Sequence, residues 1–127
     1  MSRILVDTSV WVDYFKGGPA ASRLDGLIDD NLVCVNDMIL AELVPPLRVQ
    51  KADAVVALMG MVAKVALVID WDEIIAFQVR NIQAGINKVG IPDLIIMQNA
   101  IRNDLTLFTL DNHFHLMRKL FKLKQYK

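Results

Sequence analysis

The sequence predicts an α/β fold in which helices enclose a central parallel β-sheet, a three-layer α/β/α sandwich. Apolar runs of strand length recur at residues 3–6, 32–35, 65–69 and 105–109, and segments with helical spacing lie between them. These runs are continuously apolar, as is typical of strands buried on both faces of a sheet. Strands that alternate with helices favour parallel pairing beneath two helical layers.

The composition predicts one domain, residues 1–127, because 54% of the side chains are hydrophobic and can build a core. The longest apolar run, residues 54–63, is too short to span a bilayer, and the N-terminus lacks the layout of a signal peptide. We therefore expect a soluble, cytoplasmic protein with no membrane partner. Cys34 is the only cysteine, which excludes a disulfide framework and predicts a small core residue.

The first predicted strand ends at Asp7, which is followed by Thr8, Ser9 and an apolar helical segment. In an open parallel sheet, ligands bind in the crevice at the carboxyl ends of the strands. A carboxylate at that position is therefore a candidate ligand for a cation. The alternative interpretation is a helix cap, since Asp is a favoured N-cap residue.

Glu42 lies in the apolar helical segment of residues 39–44, and Asn36 and Asp37 have the character of caps for this helix. The pair Pro45-Pro46 predicts that the helix ends or kinks sharply there, because each proline removes an amide donor and clashes with the preceding turn. Glu42 is then expected within one turn of the helix end.

Two apolar stripes with helical spacing are predicted to be buried. A capping box is predicted at residues 70–73, because an Asp at the cap and a Glu three positions later satisfy free amide donors. The acids of that segment are therefore excluded from the candidate site. The two stripes consist of Val55, Met59 and Val62, and of Ile75, Val79, Ile82 and Ile86.

Asp93 opens a helix after Pro92, and Asp111 follows the last predicted strand. Asp104 has the context of a turn residue. His113 and His115 are two positions apart and face different sides of a helix, which predicts surface positions and no shared metal.

Acids that interrupt apolar segments suggest one shared metal site, formed by Asp7, Glu42, Asp93 and Asp111. Mg²⁺ and Mn²⁺ prefer oxygen ligands of this kind. One or two such ions could support hydrolysis of a phosphodiester. The four acids can converge only if the first and fourth strands are neighbours.

The net charge of zero hides an asymmetry along the chain. Residues 118–127 contain no acid and five basic residues, namely Arg118, Lys119, Lys122, Lys124 and Lys127, which leaves nine basic against 14 acidic residues in the first 117. Such a segment could bind phosphate or could merely keep the protein soluble, and the sequence leaves both interpretations open. The zero net charge argues against broad nonspecific binding of nucleic acid.

Four motifs together resemble the PIN-domain ribonucleases, in particular the short VapC-type toxins of toxin–antitoxin pairs. They are ILVDTSVWVDY at residues 4–14, Ala41-Glu42-Leu43, Pro92-Asp93 before an apolar helix, and LFTLDNHF at residues 107–114. Each motif is weak alone, but the resemblance covers essentially the whole chain in the expected order. Two departures are His113, where many relatives carry a fifth acid, and Pro45-Pro46, which alters the groove beside Glu42.

The resemblance implies that Asp7, Glu42, Asp93 and Asp111 ligate Mg²⁺ or Mn²⁺, with Thr8 or Ser9 and Thr109 supporting the acids by hydrogen bonds. It implies a five-stranded parallel sheet in the order 3-2-1-4-5. It further implies an endoribonuclease that cuts structured RNA, forms a homodimer and is inhibited by a small antitoxin. Residues Arg118, Lys119, Lys122 and Lys124 are the candidates for contacting RNA.

Other functions remain possible on the sequence alone. A free-standing RNA-processing PIN protein is distinguished from a toxin only by the short length of this chain. A non-catalytic PIN domain that binds RNA or protein is disfavoured because all four acids are present. A phosphoryl-aspartate enzyme of the haloacid-dehalogenase type needs a second Asp two positions after the first, and Ser9 stands there.

Overall fold

A computed structural model describes residues 3–127, in which parallel strands alternate with helices. The strands are β1 (Ile4–Val6), β2 (Val33–Val35), β3 (Ala63–Lys64) and β4 (Thr106–Phe108). The helices are α1 (Thr8–Phe15), α2 (Ala21–Asp29), α3 (Asp37–Val49), α4 (Asp53–Met61), α5 (Trp71–Gln83), α6 (Ile91–Arg102) and α7 (Asn112–Phe121). None of these helices has the length and apolar character needed to cross a membrane.

The sheet has the strand order β3-β2-β1-β4, and all of its pairings are parallel. The predicted α/β fold and the predicted neighbourhood of the first and fourth strands are therefore confirmed. Strand β1 is buried along its whole length, as its continuous apolar run predicts. Cys34 is a buried core residue of β2, and burial raises the pKa of its thiol to about 11.

A fifth strand, expected from the resemblance, is absent from residues 3–127. A single parallel bridge between Leu107 and Gln125 takes its place at the free edge of β4. The Leu107 amide donates to the Lys124 carbonyl at 2.8 Å, and the Tyr126 amide donates to the Leu107 carbonyl at 2.8 Å. The last residues thus cover the sheet edge and are not a free basic tail.

The third predicted strand was misplaced. Strand β3 covers Ala63–Lys64, ahead of the predicted residues 65–69, although the Val65 amide still donates to the Val35 carbonyl at 2.8 Å. Residues 65–69 lie outside regular secondary structure, where Val65, Leu67 and Ile69 pack against the core and Val68 is exposed. In the preceding stripe, Met59 is buried as predicted, whereas Val55 and Val62 are only partly buried and pack against the core.

Pro45 and Pro46 were predicted to end helix α3 or to kink it sharply, and they do not end it, because the helix runs through them to Val49. Both prolines lie on the exposed side of the helix, where water can satisfy the carbonyls that lose an amide partner. Leu43 and Leu47 anchor the opposite side in the core. Asn36 caps the helix as predicted, accepting from the Ile39 amide at 2.9 Å.

The second stripe was predicted to be buried and is instead exposed. Ile75 and Ile82 are each 63% exposed, and Val79 is exposed as well, while Ile86 lies beyond α5 and is partly buried. The helix turns a different face to the core, where Ile74 and Asn81 are buried. We define the α5 surface as the exposed apolar residues Trp71, Ile75, Val79, Ile82 and Ile91.

The first turn of α5 is capped as predicted, because Asp70 accepts from the Glu73 amide at 3.2 Å. That hydrogen bond and then the Arg102 guanidinium hold the pKa of the Asp70 carboxyl below its usual range. Glu73 does not return the bond to Asp70, and instead accepts from Gln98 at 2.7 Å and pairs with Arg102. These acids are structural, which agrees with their exclusion from the candidate site.

Candidate metal site

The candidate site lies at the carboxyl edge of the sheet, where β1 and β4 end side by side. Val6 pairs with Phe108, and the Asp7 amide donates to the Phe108 carbonyl at 2.9 Å. Asp7 directly follows β1 and Thr109 directly follows β4. These two residues are therefore adjacent at this edge of the sheet. This is the position in an open parallel sheet at which ligands bind.

Asp7 is a 5% exposed carboxylate, and hydroxyl groups hold it in place. Ser9 Oγ donates to Asp7 Oδ2 at 2.8 Å, and Thr109 Oγ1 donates to the same oxygen at 2.9 Å. Asp7 occupies the N-cap position of α1, but its side chain accepts no capping hydrogen bond. The interpretation of Asp7 as a helix cap therefore has no support in the geometry.

The two hydroxyl groups are themselves oriented by the chain that follows β4. Ser9 Oγ accepts from the Leu110 amide at 3.0 Å, and Thr109 Oγ1 accepts from the Asp111 amide at 3.0 Å. Each oxygen thus accepts from an amide and directs its own proton to the Asp7 carboxylate. Asp7 Oδ2 is oriented by these bonds, and its remaining lone pairs can serve a cation.

Asp111 combines two roles at the start of α7. Its Oδ1 atom accepts from the His113 amide at 2.9 Å and caps the helix. His113 Nδ1 lies 3.5 Å from Asp111 Oδ1 and 3.8 Å from Asp93 Oδ2. Asp93, Asp111 and His113 each offer one ligand atom, and these atoms lie within 4.8 Å of one another.

Asp93 sits in the first turn of α6, and its side chain is 22% exposed. Burial, followed by the charges of Asp111, Asp7 and Glu42, raises the pKa of the Asp93 carboxyl to about 6, against the weaker opposing effect of His113. The other three predicted acids are therefore close enough to Asp93 to disfavour its charged form. A group of carboxylates in this state is relieved by binding a cation.

Glu42 reaches the same region from the middle of α3. Burial and then the charge of Asp7 raise the pKa of the Glu42 carboxyl, while a hydrogen bond from Thr8 Oγ1, at 3.4 Å, lowers it. Thr8, Ser9 and Thr109 thus all donate to acids of the site, as the resemblance implies.

His113 was predicted to lie at the surface and to share no metal with His115, and the structure places it, partly buried, beside Asp93 and Asp111. His115 is exposed, as predicted. The two-residue spacing relates His113 only to His115. The signal that could have identified His113 is its position two residues after Asp111, because a residue in the first turn of α7 lies beside the cap.

The predicted basic residues belong to the end of α7 and the segment after it. Lys119, Lys122 and Lys124 are exposed, whereas Arg118 is partly buried. Lys124 is already paired with Asp104, a turn residue as predicted. These residues lie outside the acidic cluster of Asp93, Asp111 and His113.

The donor set fits a hard divalent cation. Carboxylate oxygens are the ligands that Mg²⁺ and Mn²⁺ prefer, and an imidazole nitrogen such as His113 Nδ1 is more typical of softer transition metals. Because oxygen donors outnumber the nitrogen donor, the residues present can accommodate Mg²⁺ or Mn²⁺. Asp93, Asp111 and His113 form the group that could hold the ion, and this group does not include Asp7 or Glu42.

Comparisons with known proteins agree with this fold. A sequence model of the family described as PIN domain matches residues 4–120. Similar solved structures include VapBC2 from Rickettsia felis bound to a fragment of promoter DNA, at 18% identity and a TM-score of 0.75, covering 97% of this chain and 96% of that one. DNA-bound VapBC from Salmonella typhimurium has 15% identity and a TM-score of 0.76, with coverage of 99% and 98%.

FitAcB from Neisseria gonorrhoeae has 19% identity and a TM-score of 0.67, with coverage of 98% of this chain and 96% of that one. A search of curated proteins finds no match.

Proposed function

We propose that this chain, which belongs to the PIN-domain family, is a Mg²⁺- or Mn²⁺-dependent endoribonuclease. The observation that carries the proposal is the placement of Asp7, Glu42 and Asp111 around Asp93, where burial and then the charges of these three acids raise the pKa of the Asp93 carboxyl. A purely structural set of caps would not place three further carboxylates close to a partly buried one.

Each side chain of the site has a part in the proposed reaction. A divalent cation held by these side chains would supply an activated water and would stabilise the negative charge that develops on the phosphate. Asp7 is oriented by the hydroxyl groups of Ser9 and Thr109. His113, beside Asp93 and Asp111, is placed to exchange a proton with water or with a leaving oxygen.

The purified protein is expected to cleave RNA when Mg²⁺ or Mn²⁺ is present and to lose this activity in excess EDTA. The measurement is a time course of transfer RNA and ribosomal RNA fragments on a denaturing gel, with and without metal. Cleavage that persists in EDTA would remove the metal mechanism, and the absence of metal-dependent binding or cleavage of RNA would favour a protein-binding PIN domain.

The biological setting proposed here is that of a toxin, acting in the cytoplasm and held inactive by a small antitoxin protein. Its support is the likeness in fold to VapBC and FitAcB assemblies together with the motifs of residues 4–14 and 107–114. A free-standing RNA-processing PIN protein is the alternative. Lys119 and Lys122 remain candidates for contacting the RNA backbone, because both are exposed basic residues.

We further propose that the α5 surface is the contact between two copies of the chain. Exposed apolar patches of this kind mark interaction sites, and an uncharged apolar face is complementary to itself across a two-fold axis. Ile91 joins this surface and stands two residues before Asp93, so a second copy would lie close to the acidic site.

Ile75→Asp is expected to convert a dimer to a monomer, because it places a charge in the centre of an apolar contact. The measurement is the molar mass in solution by light scattering or sedimentation. Leu116→Asp is the matched control, since Leu116 is an exposed apolar residue of α7 outside the α5 surface. A wild type that is monomeric at high concentration, or a dimer that survives Ile75→Asp, would contradict this assignment.

A further inference from the structure

A pocket between α1 and α3 opens beside the acidic site. Neither the proposed metal site nor the proposed dimer contact accounts for it. Its cavity volume is about 290 Å³. Two of its lining residues are Thr8 and Glu42, which are joined by a hydrogen bond at the site itself. The pocket and the candidate metal site are therefore one continuous surface.

The walls of the pocket are apolar and its rim is polar. Val12, Phe15 and Pro46 are among its lining residues, and the Phe15 ring is stacked on buried Trp11 at 5.9 Å, which fixes its orientation. Lys16 and Gln50 also line the pocket, and both are exposed. The pocket thus combines a rigid aromatic ring, an amide and a cation within reach of one ligand.

Lys16 is available to a ligand. Within residues 3–127 no carboxylate lies at ion-pair distance from its ammonium group. The acidic half of the surface would repel an anion, so a free cation beside Glu42 is the place where a neighbouring phosphate of the same substrate could be held.

We propose that this pocket binds one nucleobase of the RNA, adjacent to the phosphodiester at the acidic site. The proposal rests on the proposed ribonuclease function and names the part of the substrate that the site recognises. Phe15 offers a face for stacking, Gln50 offers a donor and an acceptor to the base edge, and Lys16 offers a charge to a phosphate.

The size of the pocket and its contents favour a base over other occupants. Its volume is close to the lower end of the roughly 300–1,000 Å³ range of small-molecule sites, which suits a single heterocycle. An apolar side chain of a protein partner would use the walls but neither Lys16 nor Gln50. Because the pocket is continuous with Glu42, one substrate molecule can occupy the pocket and also reach the acids.

The test uses Asp93→Asn protein, in which cleavage is expected to be lost, and end-labelled RNA pentanucleotides. Homopolymers of each base are compared with an abasic pentanucleotide by fluorescence anisotropy, with and without Mn²⁺. Base-bearing RNA is expected to bind on the order of tenfold more tightly than abasic RNA, because stacking one base on an aromatic ring has an effect of this size.

Val12→Phe, added to this background, fills the pocket and is expected to abolish the difference between base-bearing and abasic RNA. Val49→Phe is the matched control, since Val49 is an exposed residue of α3 outside the pocket, and it should retain the difference. Lys16→Ala should lower the affinity for base-bearing and abasic RNA alike. It should also flatten the slope of log affinity against log salt concentration by about 0.7. Gln50→Ala, an exposed substitution, provides a second variant if Val12→Phe lowers the melting temperature.

Equal binding of base-bearing and abasic RNA, or a difference that survives both Val12→Phe and Gln50→Ala, would overturn the subsite. If wild type still cleaves RNA with Mn²⁺ in that case, only the subsite is rejected. If wild type neither cleaves RNA nor binds it in the presence of metal, the proposed function fails first. The subsite would also be rejected if Val12→Phe blocked the binding of a protein partner and left RNA binding unchanged.

Discussion

Asp7→Asn is expected to reduce metal-dependent RNA cleavage by at least about 100-fold, because loss of an outer-shell partner of a metal ligand alone typically costs about 10–100-fold. The substitution removes the charge of the most buried acid in the site. An asparagine oxygen can still accept from Ser9 or Thr109, so the fold should be retained. The measurements are the cleavage rate and the melting temperature of the same preparation.

A graded series separates loss of charge from loss of orientation. Ser9→Ala keeps the Asp7 charge and removes one of its two hydroxyl donors, so cleavage should fall by about 10–100-fold, less than in Asp7→Asn. Asp30→Asn is the matched control, since Asp30 is an exposed acid at the end of α2, and its activity should equal wild type. Full activity of Asp7→Asn would show that Asp7 is not a ligand.

The sheet and its acidic edge were predictable because their signals are local. A run such as Ile4-Leu5-Val6 is apolar without alternation, which only a strand buried on both faces requires. The acid after it interrupts this pattern, and parallel strands bring the carboxyl ends of β1 and β4 to one place. What spacing alone did not establish was that these two strands are adjacent, and that came from the resemblance.

The errors arose where a residue's neighbours in space decide its role. The prolines of α3 were expected to end the helix or to kink it sharply, but the helix continues through them, with Leu43 and Leu47 in the core and the prolines facing water. The stripe of α5 was expected to be core because it is apolar. The helix instead buries Asn81, whose amide donates to Met117 Sδ at 3.3 Å.

The exposed stripe of α5 also shows why a periodic pattern does not identify its partner. Apolar spacing predicts that a helix face is covered, and it does not distinguish the core of the same chain from a second copy. The proposed dimer accounts for the spacing of Ile75, Val79 and Ile82 without placing them in the core.

Removing one charge from the site is expected to leave the metal-free protein as stable as wild type or more stable. The pKa of Asp93 is raised from 3.8 to about 6, first by burial and then by Asp111, Asp7 and Glu42. Asp93→Asn replaces a charge that the fold disfavours with a neutral side chain. Its melting temperature in EDTA near pH 8 should therefore equal or exceed that of wild type.

The sign of the pH dependence follows from the same shift. Because the folded pKa lies above the unfolded one, Asp93 contributes stability that is fully present below pH 3.8 and is lost as the pH rises through about 6. The advantage of Asp93→Asn over metal-free wild type should thus be largest near pH 8 and shrink toward about pH 5. A constant difference across that range would mean that Asp93 is not the strained group.

Mn²⁺ should then stabilise wild type and have much less effect on Asp93→Asn. A ligand that binds only the native state raises the free energy of unfolding by about 2.7 kcal/mol at 100 times its dissociation constant. Asp70→Asn is the control of opposite sign, because Asp70 caps α5 and pairs with Arg102: it should melt below wild type and keep the full Mn²⁺ response. If Asp93→Asn instead melts well below wild type in EDTA, and Mn²⁺ raises both equally, the acids are structural and the nuclease proposal loses its metal site.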